Sequence, residues 1–331
     1  MEQPVGQSAV SRLFGKWSGP FGFGTGLLHN AGNQHSRVRL LRQAHDQGVS
    51  YFDTARLYAD GQAEEAVGEA FSRIRNDIII ATKVGILPVR RDLVTRARGK
   101  AAASLRRIPP LKALVPEAPV QHPEFGVFDR KRMQISLETS LRMLRTDHVD
   151  AVLLHECTLD NLRSDEVREF LDRAVLAGKA RMFGIAPTAP EMLAIAASGA
   201  AYGDIAQFDA AIRNGCPTAG MVNPSLVINH SCLGQRFRSV VNRMRTDADL
   251  RERWSRAAGI DAGDTSQVAQ AFLAHALIQN PNGLVLFSTT RPDRLSANLA
   301  AEGWLSEPER RGALGQLIAE VSAAETADTL F

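Results

Sequence analysis

Eight short apolar runs, each followed by a loop and in most cases an amphipathic segment, recur along almost all of the 331 residues. They are FGFGT from Phe21, SYFDT from Ser50, DIIIAT from Asp77, VDAVLL from Val149, RMFGI from Arg181, DIAQF from Asp204, SLVIN from Ser225 and GLVLF from Gly283. Each is four to six residues long and lacks the polar alternation of a half-exposed strand, as expected for parallel strands buried on both faces. Between them, helical periodicity runs from His35 to a closing Gly48, from Gln62, from an acidic cap at Asp129, from a capping Ser164 to Gly178, from Asp264 and from Asp293.

Eight strands alternating with helices predict an α/β fold, a (β/α)8 barrel. An open doubly wound sheet is the alternative, but its phosphate-binding GxGxxG is missing. FGFGTG at Phe21 only partly matches, and no helix begins directly after it. No linker divides the chain, so residues 1–331 are read as one barrel domain with long loops after strands 3 and 7. The first loop, about 84–128, holds six prolines and a basic cluster: Arg90, Arg91, Arg96, Arg98, Lys100, Arg106, Arg107 and Lys112. The second, 232–263, is again basic and carries LRERW from Leu250.

Composition narrows the function classes. A net charge of +3, from 39 basic and 36 acidic residues, is too balanced for a general nucleic-acid binder. Three cysteines without CxxC spacing exclude a disulfide scaffold or a zinc knuckle. No cluster has metal-ligand spacing. Without an 18-residue apolar run or a signal-peptide core, no membrane partner is expected, and the expected location is the cytoplasm. Nothing in the sequence fixes the oligomeric state.

Chemistry in such a barrel sits at the C-terminal ends of the strands. Asp53 ends the second run, Tyr58 follows five residues on, Lys83 ends the third run and His155 the fourth. Three adjacent strands thus aim a carboxylate, an amine and an imidazole at one place, with a phenol nearby. A tyrosine of ordinary pKa near ~10 is a poor acid at neutral pH. An adjacent ammonium held by a carboxylate should lower that value, and the histidine can donate a hydrogen bond to a substrate oxygen. Such a group suits protonation of an alkoxide as hydride reaches carbon. One charged residue at a strand end is ordinarily structural, but four together are costly to bury without a purpose.

YFDTARLYADGQAEEAVGEAF from Tyr51 strongly resembles the FDTA…Y…E…LG segment of the aldo-keto reductases. IIIATKVG from Ile78 and LRTDHVDAVLLHE from Leu144 resemble that family's lysine and histidine strands, in the same order. The resemblance covers roughly residues 10–305. The insert after Lys83 and the helix beginning FDR look most like the sugar and pyridoxal dehydrogenase branch. It implies a nicotinamide-dependent carbonyl reductase or alcohol dehydrogenase, with Tyr58 as general acid/base completed by Asp53, Lys83 and His155.

The same resemblance implies a dinucleotide laid across the barrel mouth without a Rossmann motif. Gly24 and Thr25 after the first strand, and Asp53, belong to its expected contacts. SCLGQRF would meet the pyrophosphate through Ser231, Leu233 and Gly234, and His230 takes the place of the aromatic that stacks on nicotinamide. Gln207 matches the glutamine that holds the carboxamide. FSTTRPDRLSANLAA brings Ser288, Thr289, Thr290, Arg291 and Arg294 to the adenosine end, with Asn298 toward adenine. The two arginines suit a 2′-phosphate and hence NADP(H), although Ser288 stands where NADP-preferring relatives often carry lysine; NAD is the alternative. The family's Ser-Asn pair after the fifth strand is replaced by Ala186 and Pro187.

The expected activity is interconversion of an aldehyde or ketone with an alcohol, or oxidation of a sugar hemiacetal, on a small-molecule substrate. Specificity would come from Leu27 and Leu28, the 84–128 insert and the stretch after Cys232. Cys157 and Cys232 are expected to be buried and inert, and His275 structural. The rival reading, prompted by Ala186-Pro187 and the basic insert, is a cofactor-binding regulatory or interaction subunit with vestigial chemistry. A barrel hydrolase or lyase built on His155 and Asp53 would need a metal or phosphate loop that the sequence lacks.

Overall fold

A computed structural model describes residues 9–16, 18–89, 122–199, 202–210, 224–306, 308–310 and 312–318. All eight apolar runs are strands: β1 (Phe21–Gly24), β2 (Tyr51–Asp53), β3 (Ile79–Val84), β4 (Val149–His155), β5 (Ala180–Ala186), β6 (Ile205–Asp209), β7 (Leu226–His230) and β8 (Leu284–Phe287). Each pairs in parallel with its sequence neighbour, and β8 closes on β1. This is the (β/α)8 barrel, and closure leaves no sheet edge exposed.

Side chains alternate across each strand, so each contributes to two cores. Tyr51, Ile79, Ala81, Ala151, Leu153, Ile205, Ile228, Leu284 and Leu286 fill the barrel interior, where Val10 and Phe14 of α1 (Ala9–Phe14) join them. Phe23, Phe52, Ile80, Val152, Leu154, Phe208, Val285 and Phe287 belong to the larger core that also takes in helix residues. The same period of two predicts the mouth of the barrel. Two residues beyond inward Tyr51, Ala81, Leu153, Ile205 and Ile228 come Asp53, Lys83, His155, Gln207 and His230.

The helices are α2 (Gln34–Asp46), α3 (Gln62–Phe71), α4 (Arg130–Leu144), α5 (Leu159–Arg163), α6 (Asp165–Leu176), α7 (Ala189–Ala197), α8 (Gln235–Thr246), α9 (Ala248–Ala258), α10 (Thr265–Gln279) and α11 (Pro292–Leu299). Asp129 and Asp264 cap α4 and α10 as their positions predict, accepting from the amides of Arg132 and Ser266. Ser164 precedes α6, but its side chain makes no capping bond. The cap there belongs to the preceding helix, where Thr158 and Asn161 bond reciprocally across the first turn of α5. Helix α3 lies so close to α4 that a Cβ on Gly68 would stand 2.4 Å from the Met143 carbonyl, so only glycine fits.

Two expected loops turn out differently. The basic stretch after β7 is largely α8 and α9, with their arginine side chains accommodated by the exposed faces and Trp254 fully buried. The base of the insert after β3 is closed by an antiparallel bridge between Leu87 and Glu124. Its basic cluster lies outside the described residues, as does Cys216. Leu27 is exposed at the mouth, whereas Leu28 is 1% exposed and belongs to the core, so it cannot present its side chain to a substrate. No described helix is long and apolar enough to cross a membrane.

Candidate active site

Strand geometry brings Asp53, Lys83 and His155 onto the inward face of three consecutive strands, and the turn after β2 folds Tyr58 back over them. Both oxygens of Asp53 accept from Lys83 Nζ at 2.6 Å, and the Thr54 carbonyl accepts at 3.2 Å. The fourth neighbour of the ammonium is the Tyr58 hydroxyl, at 3.3 Å. The Tyr58 and His155 rings meet edge to face, with centroids 5.9 Å apart. The four residues form one connected group.

Burial of the group decides its protonation. Burial works against the charge on Lys83, but Asp53 and then Tyr58 outweigh it, and the ammonium is held more firmly than in water. His155 is pulled down to about 3 by burial first, then by Lys83 and His230, so its ring is neutral at neutral pH. Tyr58 departs from the sequence-based expectation. Lys83 does lower its pKa, but burial raises it by more, and the phenol is held protonated. An acid that is neutral, buried and hydrogen-bonded to a cation is poised to give up its proton only to a strong base such as an alkoxide.

Backbone strain marks the same place. Among the described residues five non-glycines have left-handed φ. Ala59 (φ 53) and Asp60 (φ 54) follow Tyr58, Glu156 (φ 51) follows His155, and Ser231 (φ 60) follows His230; only Arg145, which ends α4, lies away from the mouth. Such conformations cost roughly 1–3 kcal/mol each and persist where surrounding structure imposes them.

The remaining predicted residues line the other strand ends. Gly24 receives the Ser288 hydroxyl on its carbonyl at 2.6 Å, joining β1 to the end of β8. Thr25 donates from both its amide and its hydroxyl to the Asp53 carbonyl, at 2.9 and 3.0 Å, so its side chain braces the site from behind. The Thr289 hydroxyl is engaged in a local turn with the Arg291 backbone, while Thr290 is half-buried beside it. Arg291 is paired with Asp293; Arg294 stands exposed one turn into α11, and Asn298 is buried on the same helix. His230 shares a hydrogen bond of 2.8 Å with the Ser231 hydroxyl. Gly234 precedes α8 with its amide on the Ser231 carbonyl, and Leu233 packs against the core.

Two features suit an elongated amide- and phosphate-bearing ligand. Gln207, in the middle of β6, is 2% exposed, and its Oε1 has no hydrogen-bond partner among the described residues, an orphan acceptor two residues before the strand ends. Helices α8 and α11, after β7 and β8, begin without a side-chain cap and so leave amides available to an anion. Ala186, the last residue of β5, and Pro187 directly after it are buried and apolar, and Thr188 is exposed at the start of α7 without capping it. Cys157 and Cys232 have thiols pushed up to about 12, chiefly by burial, which fits inert cysteines. No metal-binding group of three or more His, Cys, Asp or Glu occurs among the described residues.

Sequence reasoning overlooked Arg56 and Glu64, which lie behind the Tyr58 turn. Glu64 is fully buried on α3 beside Val67, Gly68 and Phe71, a carboxylate on the apolar stripe of a helix. That misplaced charge was the available signal.

Residues 20–207, from β1 into the middle of β6 and including all four members of the Tyr58 group, match the family model described as the aldo/keto reductase family. The chain is 29% identical over 171 residues, 51% of its length, to an uncharacterized oxidoreductase of Bacillus subtilis, YqkF, covering 46% of that protein. It is 28% identical over 191 residues, 56% of its length, to an NADP+ aryl-alcohol dehydrogenase of Phanerodontia chrysosporium, covering 40% of that protein. The matching stretches thus span less than half of these relatives. An aldo-keto reductase from Klebsiella pneumoniae, solved in complex with NADPH, superposes with a TM-score of 0.57 over 91% of each chain at 22% identity. With a closed eightfold barrel, the Asp53–Lys83–Tyr58–His155 group at its mouth and a family match over more than half of its residues, this chain belongs to the aldo/keto reductase family.

Proposed function

We propose that the protein is an NADP(H)-dependent oxidoreductase that interconverts a small aldehyde or ketone with its alcohol, or oxidises a sugar hemiacetal, with Tyr58 as general acid and base. The contact that carries this reading is the one between Lys83 Nζ and the Tyr58 hydroxyl, because it gives a buried phenol a permanent cation beside its oxygen. A bound nicotinamide would supply or accept the hydride at its C4. His155, neutral and edge-on to Tyr58, donates a hydrogen bond to the carbonyl oxygen and fixes its direction. As negative charge develops on that oxygen, Tyr58 gives it a proton. The phenolate so formed is stabilised by Lys83, which Asp53 keeps charged and in place. In the oxidising direction the same phenolate takes the alcohol proton.

Gln207 would hold the carboxamide through its orphan acceptor, and His230 would stack on the ring. The uncapped amides in the first turns of α8 and α11 would receive the phosphates. Arg294 is the better candidate for a 2′-phosphate than Arg291, whose charge is already matched by Asp293. The NADP-linked relative supports the same choice of cofactor.

Tyr58→Phe should lower carbonyl reduction by about 10²–10⁴-fold, the usual worth of a general acid, while NADPH affinity measured by fluorescence titration stays within twofold. Retained turnover in a folded variant would refute the mechanism. The apolar Ala186-Pro187 pair favours one rival, a binding subunit with residual chemistry. Tight NADPH binding without wild-type turnover of a broad carbonyl panel would establish it.

A further inference from the structure

The turn that carries Tyr58 is strained, and something must hold it. Between Tyr58 and α3 the chain passes through three consecutive left-handed residues, Ala59, Asp60 and Gly61 (φ 53, 54 and 84). Only the last is a glycine, so the first two would relax if released. Ala59, directly bonded to Tyr58, fixes where the phenol enters the site.

Behind this turn lies a charge that the proposed chemistry does not use. The Glu64 carboxyl is fully buried, on the first turn of α3. Its Oε1 accepts from the Thr82 hydroxyl at 2.7 Å, from the residue adjoining Lys83 on β3. Its Oε2 has no hydrogen-bond partner among the described residues, and the Arg56 guanidinium stands 3.8 Å away. Arg56 precedes Tyr58 by two residues and reaches across the turn, with one guanidinium nitrogen 3.4 Å from where a Cβ on Gly61 would lie. Glu64 thus ties together the strand that bears Lys83, the helix that follows the turn and the residue that leads into Tyr58. Burial raises the Glu64 pKa, opposed by Ser140, Thr82, Arg56 and Lys83. A buried carboxyl of this kind persists where its neighbours need it.

We infer that Glu64 and Arg56 are positioning residues that clamp the left-handed Tyr58 turn against β3, holding the phenol oxygen at Lys83. Neither touches the reacting atoms; both act through Tyr58. The inference rests on the proposed role of Tyr58 for its kinetic consequence, and its structural content is read without turnover.

The chain has only three tyrosines, Tyr51, Tyr58 and Tyr202, so ultraviolet difference titration against Tyr58→Phe isolates the Tyr58 ionisation. Burial is the largest influence on that ionisation and raises it. Loosening the turn admits water, and the Tyr58 midpoint should fall toward its ordinary value by about half a pH unit or more in Glu64→Gln and in Arg56→Met. Turnover should fall about tenfold through kcat, with KM and NADPH affinity within twofold, because the acid is misplaced and the binding surface is not. The double variant should be no worse than the worse single one, since both remove one clamp. Glu64→Asp, which keeps the charge, should recover part of the loss.

An unchanged Tyr58 midpoint in folded Glu64→Gln and Arg56→Met, or strictly additive losses in the double variant, would overturn the inference. If Glu64→Gln does not fold, Arg56→Met, a change at a partly exposed side chain, decides by the same titration. A wild-type protein without carbonyl reductase activity would refute the proposed function, while the titration would still decide for or against the clamp.

Discussion

Buried ion clusters stand at both ends of the barrel, and they do opposite things. At the mouth, one carboxylate, Asp53, holds one ammonium, Lys83, whose remaining neighbours include a phenol and a backbone carbonyl. At the foot, Asp150 is fully buried and surrounded by cations: Arg75 at 2.7 Å, Lys16 at 2.9 Å and Arg181 at 3.6 Å. The Ile80 amide also donates to it, at 2.9 Å. Lys16 and Arg75 both donate in turn to the Ile78 carbonyl. The foot cluster therefore stitches the chain just after α1 to the starts of β3, β4 and β5, and both oxygens of its central carboxylate are engaged. The mouth cluster sets a phenol beside its ammonium and is flanked by strained backbone. Buried charge alone does not mark a site. Its position along the strands, and whether its partners consume it, separate the two roles.

The sharpest way to break this contrast is to remove the foot. Asp150→Asn leaves Lys16 and Arg75 without their anion and should cost about 3–5 kcal/mol of unfolding free energy by chemical denaturation. Turnover per folded molecule should stay at the wild-type level. A large loss of activity in the folded variant would mean that the foot is coupled to the chemistry after all.

Titration distinguishes the clusters chiefly on the alkaline flank. Burial alone would raise the Asp150 pKa, but Arg75, Lys16 and the Ile80 amide outweigh it, and the net shift is downward. A carboxyl whose folded-state pKa is depressed contributes stability above its unfolded value and loses it as pH falls through the folded value. At the mouth, Lys83 and Tyr58 are both raised in the fold. Their contributions are complete below the unfolded values near 10 and are lost as pH climbs through the folded ones. Lys16, lowered by burial, adds no alkaline loss at the foot. Denaturation midpoints should therefore drop on both flanks. His155, held down to about 3, adds an acid loss of its own below its ordinary value near 6.5. Asp150→Asn should thus reduce the acid flank only in part while leaving the alkaline one in place. Persistence of the full acid slope in that variant would assign it elsewhere.

The same contrast explains what the sequence disclosed. Asp53, Lys83 and His155 were legible because each ends an apolar run, where barrel geometry turns an inward side chain toward the mouth. Asp150 and Glu64 were not, because each sits inside an apolar pattern and only packing from distant segments shows what balances it. The direction of the Tyr58 shift escaped for a related reason. The neighbouring lysine can be read from strand order, but the depth of burial that outweighs it cannot. Helix α7 has little amphipathic contrast, and α8 and α9 carry enough arginine to read as loop. Tertiary contact rather than local pattern therefore fixes α7, whereas α8 and α9 carry a clear apolar face through Val240, Met244, Leu250 and Trp254.

Within the foot itself the partners should rank by burial. The Arg181 side chain is 42% exposed and lies farthest from Asp150, whereas Lys16 and Arg75 are each 10% exposed. Water screens the Arg181 charge in the native state and receives it at little cost when the pair is broken. Arg181→Met should therefore change unfolding free energy by no more than about 1 kcal/mol, the usual limit for an exposed pair. Arg75→Met, which also removes donors from the Ile78 and His148 carbonyls, should cost several times as much. Equal losses in the two variants would show that the foot acts as a diffuse positive field, and that the closely bonded cations are not what holds Asp150 in place.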